Sequence, residues 1–281
     1  DARILLNEDP VKTEGGLSSG NAGESSNFLC YRALRLNYYA VTGLLARVCL
    51  YAGQRENAFN YSTEVIKASN NGIFPFVDRS LVNGTAQDPD RIFSPEVLFA
   101  LSDSQRGELF EEYFDPSLAP NMVFRMETDL LEQTIYGGTG TGGNLDDYRC
   151  RSNWISSGSA RYFYKYSDMT ESGRIENTMI PLLRLGEMYL IAAESQSNSL
   201  ANGVSYINTL RKNRGVSNLQ TLTTTLLQYE YIREVYGEGQ LFFMYKRMYS
   251  SIIRSNSATN NPAPSNAVFV VPLPDTETEN R

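Results

Sequence analysis

Histidine is absent from all 281 residues. Its absence removes the commonest general base near neutral pH, the Ser-His-Asp and Cys-His constellations and the usual zinc ligand. Cysteine is scarce as well. Cys30, Cys49 and Cys150 stand far apart, with no C-x-x-C pair and no spacing that outlines a disulfide framework or a metal site. Cys49 lies inside an apolar helical pattern and reads as a small core hydrophobe. No apolar run reaches the ~18 residues of a membrane-spanning helix, and no basic start followed by a short apolar stretch marks a signal peptide. Long basic clusters are missing too, and a net charge of -7 argues against partners held through phosphates, nucleic acid included. No initiating methionine precedes Asp1, so the chain reads as a processed or truncated product.

What is present suffices for a sizeable core, with 41% of residues in the hydrophobic set and 20% charged. From Tyr38 to Gly53 the text YYAVTGLLARVCLYAG puts Val41, Leu44, Leu45 and Val48 at the spacing of a buried helical face. A second helix follows from Arg55 to Ala68, with Ala58, Tyr61 and Val65 on one face. The pair over 38–68 is a helical hairpin that fits the tetratricopeptide plan at Leu45, Ala46, Gly53 and Ala58. It departs from that plan at Thr42, Ser62 and Asn70. A second hairpin is expected over 180–215, from IPLLRLGEMYLIAAES and NGVSYINTLRKNRG. A third helical region spans 224–250, and the segment 267–281 reads as extended. Between the hairpins, residues 72–176 turn to Gly, Pro, Ser, Asp and Asn clusters with short apolar runs, the signature of functional loops. The predicted fold class is mostly α: tetratricopeptide-like hairpins forming a scaffold, with a long loop-rich insertion and a few short strands, all in one domain over 1–281.

Four segments together resemble the SusD/RagB family of outer-membrane nutrient-binding lipoproteins of the Bacteroidetes. They are LLARVCLYAG in the first hairpin, RLGEMYLIAAES at Arg184 to Ser195, YINTLRKNRG at Tyr206 to Gly215 and REVYGEGQLFFMYKR at Arg233 to Arg247. The closing VFVVPLPDTETEN at Val268 to Asn280 is similar to the family's carboxy-terminal signature. The resemblance implies a surface-exposed lipoprotein that captures oligosaccharide or polysaccharide and delivers it to a TonB-dependent SusC-type transporter. It implies no catalysis and no cofactor. The family's leader, lipidated cysteine and amino-terminal helical portion have no counterpart in these residues, and Cys30 is not assigned the anchor because polar residues precede it.

Candidate ligand contacts fall in the middle region. A sugar offers an apolar face of C–H groups and a rim of hydroxyls, so an aromatic platform among short polar side chains is the chemistry that holds one. Trp154, the lone tryptophan, stands near Tyr148, Tyr162 and Tyr164, with Asp146, Asp147, Arg149, Arg151 and Asn153 interleaved and Tyr136 upstream. Tyr162, Tyr164 and Tyr166 also fit the alternation of a half-buried strand. GGTGTGGN from Gly137 to Asn144 holds five glycines without the Lys-Ser/Thr of a phosphate loop, and reads as a mobile loop beside Tyr136 and Tyr148. The neighbouring carboxylates Glu111/Glu112 and Asp146/Asp147 do not converge on a bond as a glycosidase requires. Glu234, Glu238, Lys246 and Arg247 are assigned to the fold, and Arg184 and Glu187, three apart, are expected to pair locally. The rival readings are a peptide-binding member of the same family, a tetratricopeptide-type protein-interaction scaffold and, last, a glycosidase.

Overall fold

The computed structural model describes residues 2–19, 29–83, 86–138, 140–196, 199–254 and 261–274. Its helices are α1 (Ala2–Leu5), α2 (Val11–Glu14), α3 (Tyr38–Tyr51), α4 (Arg55–Asn70), α5 (Arg106–Tyr113), α6 (Tyr148–Asn153), α7 (Leu185–Glu194), α8 (Val204–Lys212), α9 (Thr224–Val235), α10 (Leu241–Met248) and α11 (Asn266–Phe269). The strands are β1 (Val97–Ser102), β2 (Arg125–Glu127), β3 (Trp154–Ser157), β4 (Ala160–Phe163) and β5 (Met179–Arg184).

The two expected hairpins form, α3 with α4 and α7 with α8, and they pack on each other through α4 and α7 while α9 lies against α7. Asn37 starts α3: its side-chain oxygen accepts from Ala40 N at 2.8 Å, and its amide donates to Leu98 O, also at 2.8 Å, tying the helix start to β1. The buried face of α3 is not the one the large apolar residues suggest. Ala40, Thr42, Gly43, Ala46 and Cys49 are buried, whereas Leu44 and Val48 are 44% and 54% exposed. Close helix approach selects small side chains: a Cβ on Gly43 would stand 2.7 Å from Leu183 and 3.2 Å from the Met188 sulfur.

Two sequence expectations change in the structure. The stretch read as one helix from Ile180 to Ser195 is a strand followed by a helix, with β5 pairing antiparallel to β1 before α7 begins. Pro181 lacks the N–H a helix interior needs, and burial alternates along β5 with the period of a strand. At the carboxy-terminal end, where 267–281 reads as extended, Asn266–Phe269 makes one helical turn before Val270 returns to extended backbone, Phe269 packing its ring 6.0 Å from Phe242 and 6.1 Å from Tyr249. The DTETEN part of the expected signature lies outside the described residues.

The loop-rich insertion contributes a second small sheet, in the order β2-β4-β3, all antiparallel. Its inner face adds Met126, Trp154 and Phe163 to the main apolar core, which runs through α3, α4, α7, α8 and α9. Residues that the sequence reads as loop are therefore anchored on the same core as the hairpins.

Candidate functional site

Two constellations of charged and aromatic side chains sit on either side of α6. The first is buried. Arg149, Arg184, Arg211, Arg214, Arg233 and Lys165 interleave with Glu96, Asp147, Glu230, Glu234 and Glu238, each with little or no side-chain exposure. Glu234 is the hub. Its carboxylate accepts from Arg184 at 2.9 Å, from Arg214 at 2.8 and 3.1 Å, and from Arg149 at 3.0 Å. Arg214 closes a fork on Glu96 at 2.7 and 2.6 Å. Burial alone would raise the Glu234 carboxyl; the guanidinium groups of Arg214, Arg184 and Arg149 overcome it and hold that carboxyl well below the usual range. Lys165, paired with Glu238, moves the other way: burial and the charge of Arg184 push its ammonium down to about 8.

This network gathers the motifs singled out in the sequence. RLGEMY brings Arg184, LRKNRG brings Arg211 and Arg214, and REVYGEG brings Arg233, Glu234 and Glu238. Gly186 is required by close approach, since a Cβ there would lie 2.1 Å from Glu234 Oε1. Gly237 takes a φ of 75°, and a Cβ on it would strike the Phe163 ring at 2.5 Å. Arg184 and Glu187 do not pair with each other as expected. Arg184 has extended backbone at the end of β5, outside the helical spacing, and reaches Glu234 and Glu238, while Glu187 binds Arg47 at 2.6 Å.

The second constellation is a cleft of about 270 Å³ lined by Glu132, Leu145, Cys150, Arg151, Trp154 and Arg161. Cys150 and Arg151 come from α6 and Trp154 from the start of β3, which follows α6 directly. Trp154 pairs across the sheet with Phe163, and Arg161, two residues before Phe163 on β4, shares that face. Glu132 comes from the π-helical turn Leu130–Ile135 and pairs with Arg161. Arg151 pairs with Asp146 at 2.7 Å, their side chains 50% and 74% exposed. Cys150 is chemically quiet, since burial and Asp147 push its thiol up to about 12.

Of the residues singled out in the sequence, some fall in these two surroundings and others pack elsewhere. Trp154 is in the cleft wall, but only 7% exposed, with its ring centroid 4.9 Å from that of Phe163 and 5.1 Å from that of Tyr236. Asp147 and Arg149, expected at a ligand's polar rim, are each 1% exposed: Asp147 caps α6 and pairs with Arg149, whose guanidinium also reaches Glu230 and Glu234. These two are corrected to the interior. Tyr136 is buried near the Arg233 guanidinium, and Asn153 is buried with its side chain accepting from Ser152 Oγ. Tyr148 is half-buried beside Val77, Val82 and Phe93, and half-buried Tyr164 packs edge-on against Phe110 at 5.0 Å. The glycine-rich loop is tied down at Thr141, whose carbonyl accepts from Arg233 at 2.7 Å. Arg151 is among the polar residues the sequence reading places around Trp154; Glu132 and Arg161 are the polar groups it leaves off the site. No spacing announces Glu132 and Arg161, because two further elements deliver them.

A larger groove of about 460 Å³ runs between α3, α7, α9 and α10, with Val48, Ile191 and Val235 in its lining beside the aromatic rings of Tyr51, Tyr231 and Phe243. Its charged groups Arg47 and Glu187 already pair with each other, and Arg247 holds Glu194 at 2.7 Å. The groove's lining is mainly apolar and its charges are already paired, whereas most of the Trp154 cleft's lining is polar or charged, so the cleft is the more polar of the two sites. Among the described residues, no group of three His, Cys, Asp or Glu is placed to hold a metal, and no helix is long and apolar enough to cross a membrane.

Comparison with known proteins gives the same architecture. The model of the SusD family matches residues 103–268. Solved structures similar to the chain include a SusD-like carbohydrate binding protein from Bacteroides vulgatus, at 17% identity over 99% of this chain and 63% of its own, with a TM-score of 0.61. A SusD superfamily protein from Bacteroides vulgatus matches at 21% identity over 99% of this chain and 62% of its own, with a TM-score of 0.61. Another from Bacteroides thetaiotaomicron matches at 18% identity over 88% of this chain and 59% of its own, with a TM-score of 0.60. At such identities the likeness is one of fold, and the chain spans about three fifths of the length of these structures. No curated protein matches.

Proposed function

The chain belongs to the SusD family, and from that premise we propose that it captures a glycan at the surface of a Bacteroidetes cell and hands it to a SusC-type TonB-dependent transporter without chemical change. The family match carries this reading, and the matched stretch contains every residue of the Trp154 cleft. The cleft supplies what such capture needs. Trp154 forms an apolar wall, Arg151 and Arg161 donate, and Glu132 accepts from sugar hydroxyls. All four sit on elements anchored to the core, so the site is held in place before the ligand arrives. Catalysis has no support in the geometry: Cys150 is held as the neutral thiol and Glu132 is engaged by Arg161.

A glycan array probed with the chain, followed by calorimetric titration of the best binder, tests the proposal. Arg161→Ala is expected to weaken that binder at least about tenfold, the loss of one charge-assisted contact. Trp154→Ala is expected to cost about 3 kcal/mol of stability, because the indole is packed between Phe163 and Tyr236, and to reduce binding mainly through that loss. Unchanged affinity in a folded Arg161→Ala protein would remove the cleft from the proposal. Released product that scales with protein and is lost on changing one carboxylate would replace capture with hydrolysis.

A further inference from the structure

We infer that the Trp154 cleft selects an anionic sugar, a single ring bearing a carboxylate or a sulfate; the inference rests on the glycan-capture reading above. The charge distribution is the first support. The chain carries a net charge of -7, yet the cleft's lining brings two guanidinium groups together, Arg151 and Arg161, beside Glu132, with Asp146 pairing Arg151 from an exposed position. The second support is how those guanidinium groups are held. The Arg161–Glu132 pair is partly exposed, at 25% and 28% of the side chains, and the Arg151–Asp146 pair more so. Water screens such pairs and leaves them weak, so an incoming anion can compete for either arginine. The guanidinium groups of Arg149, Arg184 and Arg214, by contrast, are 0% or 1% exposed with carboxylates already on them.

Ligand chemistry points the same way. A neutral sugar is held mainly by stacking on an open aromatic face, and Trp154 at 7% exposure offers little of one. A carboxylate or sulfate gains more here, because a planar guanidinium meets it with two parallel hydrogen bonds where a hydroxyl accepts one. With Arg161 turned to the anion, Glu132 is released to accept from ring hydroxyls. The volume of about 270 Å³ falls just below the range of drug-sized sites, which limits the cleft to about one ring of a longer chain.

The test uses the chain against an array holding uronate-bearing, sulfated and neutral oligosaccharides. The best acidic binder is then titrated beside its neutral form, the methyl ester for a uronate or the desulfated chain for a sulfate. Expected are a bound set confined to anionic chains, about tenfold tighter binding of the acid than of its neutral form, and weakening by added salt. The acid-to-neutral ratio should collapse in Arg161→Gln, recover in part in Arg161→Lys, and stay unchanged in Glu111→Gln on α5. Uronates and sulfates bound separately tell which anion the cleft takes. Binding confined to neutral chains, or a ratio indifferent to Arg161→Gln in a protein that melts normally, overturns the anionic inference and leaves glycan capture standing. No binding to any chain on the array overturns both.

Discussion

The buried network around Glu234 and the cleft beside Trp154 are made of the same side chains, arginines and carboxylates bordered by aromatics, and α6 divides them. Arg149 belongs to one and Arg151, two residues later, to the other. In the interior every guanidinium is matched by acceptors, so the charges fix how β5, α6, α8 and α9 meet and have nothing left for a ligand. In the cleft each ion pair stands partly in water and can be exchanged for another anion. Burial, not composition, decides which arginines hold the fold and which can bind.

The largest expected effect breaks the interior side of that comparison. Glu234→Ala leaves Arg149, Arg184 and Arg214 with a hub acceptor missing in a fully buried site, and should cost about 5 kcal/mol. That is of the order of a whole domain's stability, so urea unfolding followed by circular dichroism should show a protein largely unfolded before denaturant is added. A loss below about 1 kcal/mol would mean that the network is dispensable to the fold.

A smaller effect follows from protonation of the same carboxylate. In the unfolded chain a glutamate titrates near ~4.3, whereas Glu234 in the folded protein titrates well below that. The unfolded state therefore binds the proton first as pH falls. The stability Glu234 contributes is complete above about pH 4.3 and is lost progressively as pH drops toward the folded value. Glu230, where burial is overcome by Arg149, Arg233 and Arg211, acts in the same direction. Melting temperatures should fall steeply below about pH 4, and a Glu234→Gln protein, if it folds, should show a shallower acid limb. An identical acid limb in the two proteins would contradict this account.

The two regions were not equally legible in the sequence. The hairpins could be read because their signals are local, such as the apolar period of α3 and the turn at Gly53. Even there, bulk misled, since Leu44 and Val48 are exposed while Gly43 and Ala46 make the close contact. The motifs were correctly assigned to the fold, but their meeting point was invisible: Arg214 finds Glu96 across 118 positions and Arg149 finds Glu234 across 85. The cleft was half-read. Trp154 drew attention as the lone tryptophan, but Asp147 and Arg149 beside it turned inward while Arg161 arrived from the next strand. Alternation of helix face within six residues, and strand pairing across a turn, are what a list of nearby polar residues does not resolve.

The smallest expected effect sharpens the comparison from the cleft side. Arg151→Ala removes an exposed pair with Asp146, so stability should change by no more than about 0.5 kcal/mol. Arg149→Ala, its neighbour but one, would cost several-fold more, although both changes delete one arginine from the same short helix. If exposed arginines serve the ligand, Arg151→Ala should weaken binding of an acidic oligosaccharide while the melting temperature stays within about a degree or two of the parent. Paired melting curves and titrations of the two variants read this directly. A stability loss in Arg151→Ala equal to that in Arg149→Ala would show that α6 does not separate two kinds of charge. Unchanged affinity in a folded Arg151→Ala protein would leave Arg161 as the cleft's ligand-binding cation.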